Sequence, residues 1–434
     1  MPRGGIVDFE ALLRELYGLE RFGIKLGLDN VLRLLSLVGD PHRGLRTIHV
    51  TGTNGKGSVC AYAASALQKA GYNVGLYTSP HLVRFNERIR VDGEPIPDGD
   101  ILRLWSGMQP AIQAMAGADR VNHPTFFEVT TAIAFQHFRD REVDLAVVEV
   151  GMGGRMDATN VIDSDVAVIT RVGLEHTEHL GRSVERIARE KAGIVKPTSR
   201  AVTVAQDVLS VIEARCREVH APLTVVGRDV RVERLSHDLL GQRIRVRGDF
   251  ADLEVHTPLL GSFQAENVGL AVAALTELRR EGYDVPDRAV AEGIAATRWP
   301  ARLEVLRERP FVIVDGAHNG PAARALRDAL EELFPGRRFH LVVGILSDKD
   351  LRDMAASLGP LAARVVATHP RSHRAFPAHE VADAFRPYAP VEAVPAVRDA
   401  VDAVIRAAGP DDLVLITGSI YTAGEALEHL GARP

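Results

Sequence analysis

Short runs that are apolar at nearly every position alternate with helical stretches over most of the chain. The first series is "TIHVTG" at 47–52, "VGLYTS" at 74–79, "DLAVVEV" at 144–150 and "DVAVITRV" at 165–172. Strands of this kind are buried on both faces, which predicts a parallel sheet with helices on each side and an α/β fold class. After the helix-like "DVLSVIEARCREV" the texture changes, and "VRVERLSHDLLGQRIRVRGDFADLEVHTPL" at 230–259 alternates apolar and polar residues around Gly and Asp. That pattern predicts a few antiparallel strands forming a small sheet at the domain edge, followed by a helix from Gln264 to Arg280. A second series runs through "FVIVDGAH" (311–318), "HLVVGIL" (340–346), "RVVATH" (364–369) and "DLVLITGS" (412–419). Between the series, "ATRWPARLEVL" has a proline and no clean period, so a linker is expected near 297–301.

Composition narrows the class. The chain has 434 residues, 46% hydrophobic and 25% charged, which is enough for two globular domains. A formal net charge of -5 leaves no basic footprint for nucleic acid, so small-molecule chemistry is favoured. Cys60 and Cys216 are the two cysteines, too few for a disulfide framework and without partners at metal-ligand spacing. The N-terminal "MPRGGIVDFEALLREL" lacks the apolar core of a signal peptide, and no stretch is long enough to cross a bilayer. A cytoplasmic protein that binds neither membrane nor nucleic acid is expected.

The segment "HVTGTNGKGSV" (49–59) sits at a strand-to-helix step, where glycines let backbone N–H groups approach an anion and the helix start adds positive dipole. Lys56 reaches outer phosphates there, and Ser58 can ligate Mg²⁺. The bland alternative is a Gly-rich turn with no ligand. Gly57 between Lys56 and Ser58 departs from the ordinary Walker spacing. Glu149 ends an apolar strand, where open sheets place ligands, and suits Mg²⁺ or else is a buried acid paired with Arg155. Lys191 in "EKAGI" has Ala188 and Ile187 three and four positions earlier, so no acid on its own helix pairs with it.

The loop G-T-N-G-K-G-S resembles the ATP-binding loop of the Mur ligase superfamily. Together with "TSPHLVRFNERIRVDG" (78–93), "EVGMGGRMDATN" (149–160), "GLEHTEHLG" (173–181), "EKAGIVK" (190–196), "FQAENVGLA" (263–271), "DGAHN" (315–319) and "GILSDKD" (344–350), it is similar to the folylpolyglutamate synthase family, some of whose members are also dihydrofolate synthases. The resemblance spans about Phe22 to Gly424. It implies an N-terminal domain (1–297) with a P-loop ATPase-type, mostly parallel sheet and a small antiparallel one, and a smaller Rossmann-like C-terminal domain (298–434). It also implies ATP at Thr53, Asn54, Gly55, Lys56, Gly57, Ser58, Asn267, Arg302 and Asp315. His318 is a further catalytic candidate facing the phosphate. One Mg²⁺ would lie on Ser58 and Glu149 and a second between Glu149 and His176, with Lys191 as a carbamate facing it. A bare ammonium beside Mg²⁺ would be electrostatically wrong, and burial would help supply the neutral amine that CO₂ needs.

For the pterin-bearing substrate the resemblance points to Ile24, Lys25, Leu26 and Gly27, to Ser79, Pro80 and His81, to Phe126, and to Met156, Asp157 and Ala158. Phe126 can stack a flat heterocycle, although its helix also reads as ordinary core. Lys349 and Ser419 are the glutamate candidates. The function implied is ATP-dependent ligation of L-glutamate to reduced folates through an acyl phosphate, with dihydropteroate as a further acceptor, by a monomer. One rival is another Mur-type amide ligase, which predicts a nucleotide-sugar domain before the loop, whereas 48 residues precede His49. The other is a P-loop ATPase switch that makes no amide.

Overall fold

The computed structural model describes residues 8–23, 25, 27–117, 122–249 and 251–432, so Ile24 and Leu26 lie outside the described residues. The first sheet has eight strands: β1 (Thr47–Thr51), β2 (Val74–Tyr77), β3 (Ile89–Val91), β4 (Glu94–Pro95), β5 (Leu145–Glu149), β6 (Val166–Ile169), β7 (Arg200–Val204) and β8 (Leu223–Val226). Their order is β4-β3-β2-β5-β1-β6-β7-β8. All neighbours are parallel except at the β2–β3–β4 edge. β1 and β5 are buried at every position, as their uninterrupted apolar runs require. One face packs on the helices Lys56–Lys69, Phe263–Arg280 and Asp287–Ala296. The other packs on Phe9–Gly18, Asp29–Leu37, Asp98–Ala116 and Phe126–Asp140.

The alternating segment forms β9 (Arg231–Asp238), β10 (Gly241–Gly248) and β11 (Ala251–Thr257), an antiparallel sheet. Ile244, Val246, Leu253 and Val255 face the core under the helix Phe263–Arg280, while Arg243 and Arg245 pair outside with Glu254 and Asp252. The third sheet comprises β12 (Glu304–Glu308), β13 (Phe311–Val314), β14 (Phe339–Val343), β15 (Ala362–Ala367), β16 (Val391–Ala393) and β17 (Leu413–Thr417), ordered β12-β13-β17-β14-β15-β16. It is parallel except for β12, with an apolar cluster on each face. The α/β class with a large, mostly parallel sheet, a small antiparallel one and a second α/β sheet is thus what the chain adopts.

Register positions the site. Val50 stands beside Glu149 and Thr51 beside Ile169, so β1, β5 and β6 end together. The loops that follow them open on the same crevice, where open parallel sheets place ligands.

Candidate active site

The loop after β1 is shaped by the chain's own contacts. Gly55, at φ +91°, caps the helix that starts at Lys56, a left-handed conformation glycine adopts without steric cost. The loop is fastened to the β6 side by Thr53 N–H to Arg171 O (2.8 Å), Thr53 Oγ1 to Gly173 O (3.1 Å) and Thr170 Oγ1 to Asn54 O (2.7 Å). Lys56 Nζ donates to Gly52 O (3.0 Å) and Thr53 O (3.2 Å), which folds its ammonium over the loop. Asn267 lies against Gly55, and its Nδ2 donates to Gln264 Oε1 (2.9 Å), while Gln264 Nε2 reaches the buried Ser58 Oγ (3.4 Å). The extra Gly57 has a local cause, because a Cβ there would stand 2.8 Å from Trp299 Nε1.

Glu149 is buried at the end of β5, and its Oε2 accepts the Ser79 N–H (3.1 Å). Burial raises its pKa against the opposing pull of Lys56. The expected alternative partner, Arg155, binds Glu190 instead (2.8 Å), because the turn after β5 carries it to the surface. His176 sits at φ +46° before the helical turn Thr177–Leu180, and burial holds its pKa down at about 4. Among the described residues, no group of three or more His, Cys, Asp or Glu side chains is placed to hold a metal alone.

Lys191 has an acid partner after all, supplied by another segment: Nζ donates to Glu175 Oε1 (2.5 Å) and to Gly52 O (2.8 Å). Helical spacing could not reveal Glu175. Burial lowers the Lys191 pKa to about 8 despite Glu175, and at Glu175 burial pulls upward but Lys191 and Lys56 together hold the pKa at about 2.

On the opposite wall, Phe126 stacks on Tyr17 (centroids 5.5 Å apart, planes at 20°), and the Arg88 guanidinium lies 5.3 Å from the Phe126 centroid. Arg88 Nε donates to His81 Nδ1 (2.8 Å), which leaves the proton on Nε2, 3.4 Å from the Tyr17 hydroxyl. Burial, reinforced by Arg88, holds the His81 pKa at about 3, so the ring is neutral. Tyr17 and Arg88 carry no sequence signal of this role, since only folding brings them to Phe126. Asp157 spends its carboxylate on Met152 N–H (2.8 Å), Thr159 N–H (3.0 Å) and Thr159 Oγ1 (2.6 Å), and so shapes the "MDA" turn. Lys25 Nζ donates to His123 O (2.6 Å).

From the third sheet, Asp315 accepts Leu303 N–H (2.9 Å) from the linker and Ala317 N–H (2.8 Å) from its own turn, and His318 Nδ1 meets Gly316 O (3.0 Å). Burial lowers the His318 pKa to about 4. Lys349 pairs with Asp348 (3.0 Å). Ser419 Oγ caps the helix Ile420–His429 by accepting Thr422 N–H (3.0 Å). Across the crevice, Asn319 Nδ2 donates to Asn54 Oδ1 (3.1 Å), joining the loop after β13 to the phosphate loop.

All of these features surround one cleft of about 1420 Å³. Lys25, Gly27, Thr53 to Ser58, Ser79, Pro80, His81, Phe126, Glu149, Met156, Asp157, Ala158, His176, Asn267, Arg302, Asp315, His318, Lys349 and Ser419 line it. Lys191 stands behind the lining, reaching it through Glu175. The arrangement offers a loop able to hold an anion, a buried carboxylate beside it, an aromatic wall and a facing third sheet.

The Mur ligase middle domain family matches residues 50–275, and the Mur ligase glutamate ligase domain family matches residues 301–420. A Haloferax volcanii protein named probable bifunctional folylpolyglutamate synthase/dihydropteroate synthase is 37% identical over 97% of the chain, and the chain spans 50% of that relative's length. A Bacillus subtilis dihydrofolate synthase/folylpolyglutamate synthase is 34% identical, covering 96% of the chain and 97% of the relative. Among solved structures, the Mycobacterium tuberculosis folylpolyglutamate synthase complexed with ADP and AMPPCP superimposes with a TM-score of 0.90 at 35% identity, covering 98% of this chain and 100% of that one.

Proposed function

Because the chain belongs to the folylpolyglutamate synthase/dihydrofolate synthase family of Mur ligases, we propose that it ligates L-glutamate to reduced folates at the expense of ATP. The observation that carries this reading is one cleft, which brings a glycine-rich loop, an aromatic wall and the loops of the third sheet together. The folate carboxylate attacks the γ-phosphorus, ADP leaves, and an acyl phosphate forms. The glutamate amine then attacks the acyl carbon, inorganic phosphate leaves, and the nitrogen loses a proton. Neither step needs a side-chain nucleophile, so catalysis rests on positioning and charge neutralisation.

Lys56 meets the outer phosphates, and Asn267, Arg302 and Asp315 surround the nucleotide. His318, neutral at working pH, faces the transferring phosphate. Tyr17, Phe126 and His81 form the pterin wall beside Gly27 and Met156 to Ala158, and Lys349 and Ser419 face incoming glutamate. Residues 1–297 hold nucleotide and folate, and 298–434 present glutamate. Mg²⁺ fits the Ser58 hydroxyl and the buried Glu149 carboxylate, with His176 toward a second ion, and when bound it withdraws charge from the phosphates. A carbamate on Lys191 belongs to the same reading: a pKa near 8 leaves a share of neutral amine for CO₂, and Glu175 yields its place.

A second acceptor, dihydropteroate, is favoured by the name of the Bacillus subtilis relative. One assay tests both. ATP, Mg²⁺ and glutamate are incubated with tetrahydrofolate or dihydropteroate, in buffer with bicarbonate or stripped of CO₂, and products are read by mass spectrometry. Glutamylated tetrahydrofolate is expected, with less formed in stripped buffer. No amide on either acceptor overturns the ligase reading, dihydropteroate left unchanged removes the second activity, and equal rates in both buffers remove the carbamate.

A further inference from the structure

Residues 79–88 form a loop whose shape is set from within. The Glu87 carboxylate, buried, accepts the backbone N–H groups of Leu82 (2.8 Å), Val83 (3.0 Å) and Arg84 (2.6 Å). Three successive amides turned onto one carboxylate make a rigid tip. Its near end is held by Ser79 N–H on Glu149. Its tip leaves the first sheet for the third, where the Leu82 side chain packs on the apolar cluster that includes Ala423 and Leu427.

The backbone of the tip is received as closely as the side chain. A Cβ on Gly424 would stand 2.0 Å from the Leu82 carbonyl oxygen and 2.8 Å from its carbon. Gly424 lies inside the helix Ile420–His429, at an ordinary helical position where alanine is the better helix former. The helix therefore gives up local stability at this residue, and the approach of a second backbone is what requires glycine. The contact links the loop that carries His81 and Ser79 to the helix capped by Ser419.

We propose that Leu82 and Gly424 are positioning residues: their contact is the latch by which the glutamate-presenting half sets the folate loop and excludes water during the second step. This rests on the ligase reading above. With the latch seated, the glutamate amine takes the acyl phosphate. With it lifted, water attacks the same acyl carbon, phosphate leaves, the carboxylate is regenerated, and ATP is hydrolysed without amide.

The test measures ADP and amide in the same reaction, with ATP KM and thermal unfolding, for the wild type, Gly424→Ala, Leu82→Ala and Leu82→Met. Gly424→Ala should lower kcat for amide by roughly 10- to 100-fold, the range expected for a misplacement near 1 Å, with ATP KM unchanged. More than one ADP should be released per amide. Leu82→Ala should shift the ratio in the same direction, and Leu82→Met should restore it. Folded Gly424→Ala and Leu82→Ala with wild-type kcat and ratio would sink the latch, and if Gly424→Ala does not fold, Leu82→Ala decides alone. Absence of amide from the wild type defeats the ligase reading, and the latch with it.

Discussion

His49 shows how one side chain couples folding stability to pH. It is fully buried on β1, with Nε2 2.9 Å from Thr159 Oγ1 and Nδ1 without a partner. Thr159 Oγ1 donates to Asp157, so His49 Nε2–H is the donor to Thr159 and the imidazole is neutral. Protonating Nδ1 would bury a charge and an unpaired N–H, and burial accordingly holds the pKa at about 3. The unfolded chain takes up this proton near the ordinary value of 6.5, whereas the folded one does so only near 3. Stability from His49 is therefore complete above 6.5 and lost as pH falls through that window, about 2 kcal/mol by pH 5. Urea unfolding at pH 7 and pH 5 should show a smaller drop for His49→Gln than for the wild type, and equal drops would assign the effect to other histidines. None of this burial is marked in "TIHVTG" beyond the apolar residues around His49. Likewise, the lack of an acid at Ala188 and Ile187 was legible for Lys191, but its real partner, Glu175, required the fold.

At the scale of elements, the phosphate loop and the linker fix each other. The helix Asp287–Ala296 meets Lys56–Lys69 so closely that a Cβ on Gly293 would stand 2.3 Å from the Ala66 Cα. Residues 297–303, which carry no helix or strand, then bring the Trp299 indole onto Gly57. Gly57→Ala should improve local helix propensity and still impair nucleotide binding, because its Cβ meets the indole ring. Overpacking of this kind costs roughly 1–3 kcal/mol of stability, and a loop that shifts to relieve it should raise ATP KM several-fold or more. Adding Trp299→Leu should recover much of the loss, and an unchanged KM in Gly57→Ala would show that the indole simply moves aside. The odd loop spacing was visible in the sequence, but its cause 242 positions away was not. The central strands were legible because burial on both faces writes itself as an apolar run. β4, β12 and β16 were not, since Glu94, Arg307 and Glu392 break any run, as an edge strand permits; nor was β3, three residues with Arg90 at its centre, nor were β7 and β8.

Across the whole molecule, the nucleotide loop and the third sheet meet at the paired amides of Asn54 and Asn319. Asn319 does three things: its Oδ1 accepts Ala322 N–H (2.9 Å) as the cap of the helix Gly320–Leu333 and the Asn54 Nδ2–H (3.4 Å), and its Nδ2 donates to Asn54 Oδ1 (3.1 Å). Substitution by Asp keeps both acceptances and removes the donation. Aspartate caps a helix as well as asparagine and is favoured by the helix dipole, so the unfolding temperature of Asn319→Asp should stay near that of the wild type. The donor to Asn54 is lost, however, and a negative charge now faces the loop proposed to hold phosphates. At an effective dielectric near 20, one such charge a few ångströms from a polyanion costs several kcal/mol before screening, so a rise in ATP KM of tenfold or more is expected. Asn319→Ala loses the cap, at a cost of about 1 kcal/mol in stability, but adds no charge, and its KM should rise less. If Asn319→Asp binds ATP as the wild type does, the two halves do not close on the nucleotide at this pair. If Asn319→Asp loses stability as Asn319→Ala does, the cap assignment fails instead.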